Sequence, residues 1–528
     1  MSTIDHNPTY LGKVSRRSFL MTASALSGLA VMAKLGIVSA MAQDASRGGV
    51  LRFGIGDAVA SEKLDPAIAS NGSVTQLAPC VFETLLRRAP DYSLLPWLAE
   101  KWEANEDFTA WTFHLKPDIK FHDGSVMTAD DVVYTFTRLM DESVGSSLRG
   151  RLLASMRPEG LKIIDAKTIK LELIKADTLL PEVFSRSPYA GIIKKGSKPA
   201  LTPASAIGTG PFKVKSFVPG KSWELVRNDV YWVTGYPYLD GVQCALIPDQ
   251  TAKAQAVISG AVDLTDGFDA AAAKKLADNP NVRLDLMKNF LFYGFFIDRT
   301  VKPFDDVRVR KALKLAMDRD QILKSAFQGY GDTTPDIPVP RSDAYFPPNA
   351  PAGTQDIQGA KALLAEAGYP NGIEFELFTS AVRPGMVDMA VLLAESAKAA
   401  GIKIKVNQWP TATYWDQVWG KKPAYIDFIG RRSVHDVLDV AFAKDGRFNG
   451  SKFDQDGTLR QEIEAALREP DAEKRKSKYQ GALLRVANES SVPIPLFIHL
   501  ISVINKSIGG DPQAFGEPFS IFALWKNK

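Results

Sequence analysis

Between residues 98 and 139 the chain reads LAEKWEANEDFTAWTFHLKPDIKFHDGSVMTADDVVYTFTRL, and its hydrophobic period changes partway along. Trp111, Phe113 and Leu115 alternate with Thr112 and His114, the period of two that makes a half-buried strand. Lys101-Trp102-Glu103 is the expected hairpin partner. Phe121-His122-Asp123-Gly124 then makes a turn, with Gly124 free to take a positive φ and Asp123 able to bond its own backbone. Beyond the turn a helix is expected. Thr128 is its N-cap with Asp131 three residues on, and Val132, Val133, Phe136 and Leu139 recur on one face.

Strands and helices alternate through the rest of the chain, which places it in the α/β class. Leu51, Phe53 and Ile55 alternate in a first strand, followed by a small polar loop ending in Ser70-Asn71-Gly72-Ser73 and a helix over residues 74–87. Residues 161–174 read as a hairpin turned at Asp165-Ala166-Lys167. Ile207-Gly208-Thr209-Gly210-Pro211-Phe212 leads into a second hairpin over 213–232, turned at Pro219-Gly220. A strand rather than a helix follows those glycines, which excludes a phosphate-cradling loop. Residues 242–263 form a strand, helix and turn, and 286–297 a long apolar strand taken as a crossing between two lobes. In the second lobe Asp305 is placed to cap a helix with Val309, Ala312, Leu313 and Ala316 on its buried face. Residues 373–406 read as a βαβ unit, which implies parallel strands. Two helices, 459–468 and 472–488, break at Pro470. Residues 492–500 are a second long apolar strand, limited early by Pro493 and Pro495, that returns the chain to the first lobe.

The block at 98–139 resembles the signature of the family 5 solute-binding proteins, the peptide/nickel-type receptors of ABC importers, similar to dipeptide- and oligopeptide-binding proteins. Phe82-Glu83-Thr84-Leu85-Leu86, the Gly208-Thr209-Gly210-Pro211-Phe212 run and Pro303-Phe304-Asp305-Asp306-Val307-Arg308 resemble further segments of that family. The resemblance covers nearly all of residues 49–527. It implies a type II periplasmic-binding-protein fold: two lobes with mixed sheets, joined by two crossing strands, with an extra subdomain in the first. The expected divisions are a leader over 1–42, a first lobe over 43–295 with a subdomain inserted at about 75–205, a second lobe over 296–490, and a return strand with the C-terminal part of the first lobe over 491–528. It also implies a monomer that closes on a small solute or short peptide and docks on a membrane permease with separate ATPase subunits.

Ser15-Arg16-Arg17-Ser18-Phe19-Leu20 precedes a weakly apolar run, and Ala40-Met41-Ala42 offers a small-x-small cleavage site. This reads as a twin-arginine leader, too short and polar for a permanent span, with no lipobox cysteine after it. The mature protein is therefore expected in the periplasm, without a lipid anchor. The formal charge of +4 falls to about +1 once the leader's Lys13, Arg16, Arg17, Lys34 and Asp5 are set aside. No basic stripe with interleaved aromatics remains, which argues against nucleic acid as a partner. Cys80 and Cys244 are far apart in apolar contexts. Spacing leaves a bridge open, and two buried free thiols are the expected state. No Cys/His cluster points to a metal, and no cofactor is expected.

Peptide receptors of the family place an aspartate after a Gly-Trp pair to hold the ligand's α-amino group. Here the corresponding segment is Ile429-Gly430-Arg431-Arg432-Ser433-Val434-His435-Asp436, without tryptophan and with two arginines. A guanidinium matches two oxygens of a carboxylate or phosphate at once, so Arg431 or Arg432 is assigned to an acidic group of a peptide-like or organic solute. A solvated arginine pair at a strand end is the alternative. Asp436 resembles part of a family variant on this loop, and His435 is a candidate second donor. Trp409 and Trp415, with Tyr414, on a loop and a short helix after the βαβ unit, are candidates to stack on a ligand plane, and Tyr293, on the crossing strand, to point a hydroxyl into the cleft. Core packing is the competing role for these rings. Within the family a nickel, haem or sugar-type ligand is the alternative. Outside it the alternative is a periplasmic hydrolase, for which no G-x-S-x-G or H-E-x-x-H motif is present, and no catalytic residue is assigned.

Overall fold

Val282–Ile297 is a strand of 16 residues, enough to reach about 50 Å. Its first part pairs antiparallel with Leu496–Asn505, from Val282 against Asn505 to Met287 against Leu500. After a register shift Leu291 meets Ile498 and Tyr293 meets Leu496. Along its other edge Leu291 to Ile297 pair antiparallel with Gly430 to Ala424. These two strands carry one 11-stranded sheet from one lobe into the other. On one side of the crossing pair lie Leu264–Thr265, Val50–Ile55, Gly241–Leu246, Ser222–Arg227 and Phe212–Val218, and on the other Ala424–Gly430, Ile373–Ser380 and Ile402–Trp409.

This computed structural model describes residues 45–527 apart from 70–71, 90–92, 199–200 and 515–519. The Arg16-Arg17 leader with its Ala40-Met41-Ala42 site, and Ser70 and Asn71, lie outside the described residues. Among the described residues no helix is long and apolar enough to cross a membrane.

The period-two reading of the 98–139 block holds. Ala99–Ala104, Ala110–Leu115, Thr168–Leu173 and Met156–Asp165 form a four-stranded antiparallel sheet in that order. Trp111, Phe113 and Leu115 are buried on one face. Gly124 takes φ +87°, and the Ser125 amide donates to the Asp123 carboxylate at 3.0 Å. The helix is Ala129–Met140, and the Thr128 amide donates to Asp131 Oδ2 at 2.8 Å. Downstream, Ile373–Ser380 and Ile402–Trp409 pair in parallel across the Met386–Lys398 helix, as the βαβ pattern requires.

Four local readings change. The helix expected over 74–87 ends at Val81, where Phe82 turns extended and the chain continues into the Leu86–Arg88 strand. Turning there lets Glu83 leave the helix for a buried cluster. Asp306 rather than Asp305 caps Val307–Ala316, because its carboxylate accepts from the Arg308 amide at 2.8 Å. The return strand starts at Leu496, past Pro493 and Pro495, since proline has no N–H for the ladder. Trp409 ends a strand instead of sitting in a loop. Cys80 and Cys244 are both buried free thiols, and burial pushes the Cys80 thiol up to about 12.

Two buried polar clusters lock the signature segments together. His122 in the 121–124 turn accepts from the Gly208 amide at Nδ1, 3.3 Å, so its Nε2 carries the proton donated to the Gly210 carbonyl at 3.0 Å. The same glycines press on the end of the first helix: a Cβ on Gly208 would meet the Val81 carbonyl oxygen at 1.9 Å, which no side chain tolerates. Beside this seam, Glu83 accepts from Trp97 Nε1 at 2.8 Å, Tyr231 Oη at 2.7 Å, Thr209 Oγ1 at 2.9 Å and Trp232 Nε1 at 2.9 Å. Arg87 lies 3.6 Å from the carboxylate and 3.5 Å above the Trp97 ring. A buried charge with this many donors is stable only while all of them remain.

Two outcomes follow. Glu83→Gln takes the opposite charge from Arg87 and turns an acceptor into a donor amid donors. It should lower the unfolding free energy by about 3–5 kcal/mol in denaturant titration, and a loss below about 1 kcal/mol would contradict the cluster's role. Burial, with Lys213 close by, pulls His122 down to about 4. The unfolded chain's histidine takes a proton near pH 6.5, so this contribution is complete above that pH and disappears as pH falls toward about 4. Burial lowers His435 and His499 as well, and they act in the same direction. His122→Gln should therefore flatten part, though not all, of the fall in urea midpoint across that window.

Candidate functional site

Ile402–Trp409, Ile373–Ser380 and Ala424–Gly430 run parallel, so the loops at their carboxyl ends gather at one edge of the second lobe. Ligands of open α/β sheets bind in the crevice outside such ends. Three turns meet there: Trp409-Pro410, Ala381 to Gly385, and Arg431-Arg432-Ser433. The last leads into the Val434–Ala441 helix, where Ser433 Oγ accepts from the Asp436 amide at 3.2 Å. Val434, Val437 and Leu438 anchor that helix in the core, which fixes the arginines just before it.

The two arginines differ. The Arg431 amide donates to the Phe290 carbonyl on the crossing strand at 2.9 Å, and its guanidinium attracts the buried Asp343 carboxyl, which burial otherwise raises. Arg432 makes no ion pair among the described residues. Its Nε is buried without a hydrogen-bond partner among them, and its Cζ lies 5.6 Å from the Phe448 ring centre. Burial, and then Arg186 beside it, push its pKa down from the ordinary arginine value.

Three of the sequence candidates are committed elsewhere. His435 is buried, with Nδ1 3.0 Å from Tyr479 Oη, and burial followed by the neighbouring Arg151 holds it below the usual histidine range. Asp436 is taken by Arg186, whose Nη1 lies 2.9 Å from Oδ2, with Arg151 Nε 3.9 Å from Oδ1. Burial would raise this carboxyl, yet Arg186 and then Arg151 hold it at about 2. Tyr293 is 1% exposed. Its hydroxyl does not open into a cleft but donates to the Pro384 carbonyl at 2.9 Å, bracing the 381–385 turn.

The tryptophans also separate. Trp409 packs against the core, with its ring centre 5.8 Å from that of Phe378 and its buried indole N–H without a partner among the described residues. Trp415 is 36% exposed and edges Phe428 at 5.8 Å, while Tyr414 beneath it donates to the Ile426 carbonyl at 2.6 Å and serves the core. The structure adds Arg383, which the sequence reading passed over. Its Cζ sits 4.0 Å from the Phe428 ring centre, beside Tyr293 and Trp415. An arginine followed by Pro-Gly between a strand and a helix was the available signal for it.

The stretch that follows the four-stranded sheet touches the second lobe at several points. The Thr178 amide and hydroxyl both donate to the Leu467 carbonyl, at 3.1 and 2.7 Å. Leu179 joins the apolar core of the second lobe. Arg151 binds Asp177 at 2.6 Å, and Arg186 reaches Asp436 as described. Sequence offers no sign of the contacts from Thr178 and Arg186, whose partners lie 289 and 250 positions away. Among the described residues no group of His, Cys, Asp and Glu could hold a metal ion.

Haem-binding protein A of Haemophilus influenzae is 31% identical over 343 residues, 61% of this chain and 62% of that protein. The dipeptide-binding protein of Escherichia coli K12 is 28% identical over 353 residues, 62% of this chain and 64% of that one. The chain thus spans somewhat less than two thirds of the length of these curated relatives. The structure of the binding protein AgaA from A. tumefaciens R10, in complex with agropinic acid, superposes with a TM-score of 0.74 at 25% identity, covering 91% of this chain and 99% of that one. The family model for bacterial extracellular solute-binding proteins, family 5, matches residues 93–436, well over half of the sequence, and the chain belongs to that family.

Proposed function

We propose that this protein is the extracytoplasmic receptor of an ABC importer and captures a small organic or peptide-like solute through an acidic group held by Arg432. Lobe closure on the solute creates the form that docks on a membrane permease, whose ATPase subunits drive uptake. In this reading the lobes divide near residues 295 and 491, the protein acts as a monomer in the periplasm, and the Arg16-Arg17 leader exports it by the twin-arginine route. Its role is binding, without a chemical step.

The observation that carries the reading is Arg432 itself. A half-buried guanidinium, with a buried N–H that finds no hydrogen-bond partner among the described residues and another arginine beside it, is costly unless an anion completes the site. Family membership supports the receptor role, and the solved relative bound to agropinic acid supports an acidic solute. Trp415 and the Arg383-Phe428 stack supply exposed flat surfaces at the same edge for the solute's remaining parts.

Native mass spectrometry of freshly purified protein should reveal a co-purified acidic small molecule. Calorimetry with that molecule should lose about 10- to 100-fold in affinity on Arg432→Gln, the range expected when a charge-assisted hydrogen bond of about 1.5–3 kcal/mol is removed. Unchanged affinity would falsify the assignment of Arg432.

A further inference from the structure

Arg186 and Arg432 belong to two separate segments, or walls, that meet at Asp436. Arg186 follows the Leu180–Ser185 turn of the stretch that leaves the four-stranded sheet, while Arg432 immediately precedes the Val434–Ala441 helix of the second lobe. Arg186 holds Asp436 in the first turn of that helix, at 2.9 Å, with its side chain 23% exposed. Asp436 in turn hydrogen-bonds through its amide to Ser433, the residue next to Arg432. Two guanidinium groups from separate walls are thereby brought to one spot.

The local charges do not balance. Arg151 has its own carboxylate in Asp177, at 2.6 Å. Glu182, also beside Asp436, is paired with Arg88 at 3.4 Å, so among the described residues Asp436 faces both Arg186 and Arg432 and one positive charge lacks a counterpart in a partly dehydrated place. Each arginine raises the cost of bringing the other near. An anion placed between them removes that cost and adds hydrogen bonds to both walls.

Resting on the acidic-solute reading above, we propose that Arg186 is the opposing half of an anion clamp, so that the acidic group of the solute is gripped by Arg432 from one wall and by Arg186 from the other. Asp436 is then an internal competitor that occupies Arg186 until the solute arrives. Binding and closure are coupled through charge: Asp436 supplies one negative charge to two arginines, and the solute's anion supplies the second. The ligand chemistry required is a carboxylate or another oxyanion with at least two acceptor oxygens, because each guanidinium needs one.

The test is calorimetric titration of the full mature chain with succinate and with sulfate, each against chloride at equal ionic strength. Wild type, Arg432→Gln, Arg186→Gln, Arg186→Lys and Asp436→Asn are compared, and thermal unfolding checks that each variant is folded. Arg186→Gln should weaken binding at least tenfold, and Arg186→Lys should restore part of the loss. Asp436→Asn should tighten binding severalfold by freeing Arg186. A purely structural link between the walls predicts instead that Arg186→Gln and Asp436→Asn weaken binding alike, and that result overturns the clamp. No saturable binding of either anion to wild type also overturns it. Loss on Arg432→Gln without loss on Arg186→Gln rejects the clamp and leaves the acidic-solute reading standing, whereas no loss on Arg432→Gln rejects that reading itself.

Discussion

The antiparallel pairing of Val282–Ile297 with Leu496–Asn505 is the constraint on which the rest depends, because the sheet passes from one lobe to the other through these strands. Relative movement of the lobes must therefore be bending within a hydrogen-bonded ladder. The ladder has a place suited to it. Register shifts between Met287 and Leu291, where Asn289 takes φ +55° and its amide donates to His499 Nδ1 at 3.3 Å. A bulge of this kind increases local twist and interrupts pairing, which concentrates deformation there while the flanking segments stay rigid.

Rigidity of the first lobe has a separate origin. Glu83 draws donors from Trp97, Thr209, Tyr231 and Trp232, and His122 fastens the 121–124 turn to Gly208 and Gly210. The segments that mark the family are thus the segments that touch each other. Their side chains face inward, and the carboxylates Asp130 and Asp131 at the start of the Ala129–Met140 helix serve the backbone and the nearby lysine Lys195. The wall proposed to meet solute is made elsewhere, by turns with little periodic pattern.

This division explains how much could be read from the sequence. Trp111, Phe113 and Leu115 announced their strand because one face is buried and the other is not, and the βαβ unit at 373–406 was legible because its apolar spacing changes with each element. Boundaries failed where a tertiary demand outweighed local preference, as when Glu83 leaves the helix to meet four donors 14 to 149 positions away. The arginines at 431 and 432 were visible as a departure from the peptide-binding pattern, but their inequality was not. Whether a guanidinium finds a partner depends on residues such as Asp343 and Arg186, which pattern reading cannot place beside them. Tyr293, His435 and Asp436 were good candidates by type, and each has an internal partner that only the fold supplies.

The place of the return strand has a consequence for how the chain matures. Leu264–Thr265 sits between Val50–Ile55 and Leu496–Asn505, so the sheet begun by the first strand is completed by one made more than 440 positions later. Thr178 likewise waits for Leu467, 289 residues downstream. Contacts of such sequence separation form slowly and leave edges exposed in the meantime. The nascent first lobe is therefore not an independently finished unit that the rest is appended to. Until the last tenth of the polypeptide emerges, an unpaired strand edge remains in the middle of what will become the sheet, and it is during synthesis, more than in the finished molecule, that this protein is most exposed to aggregation.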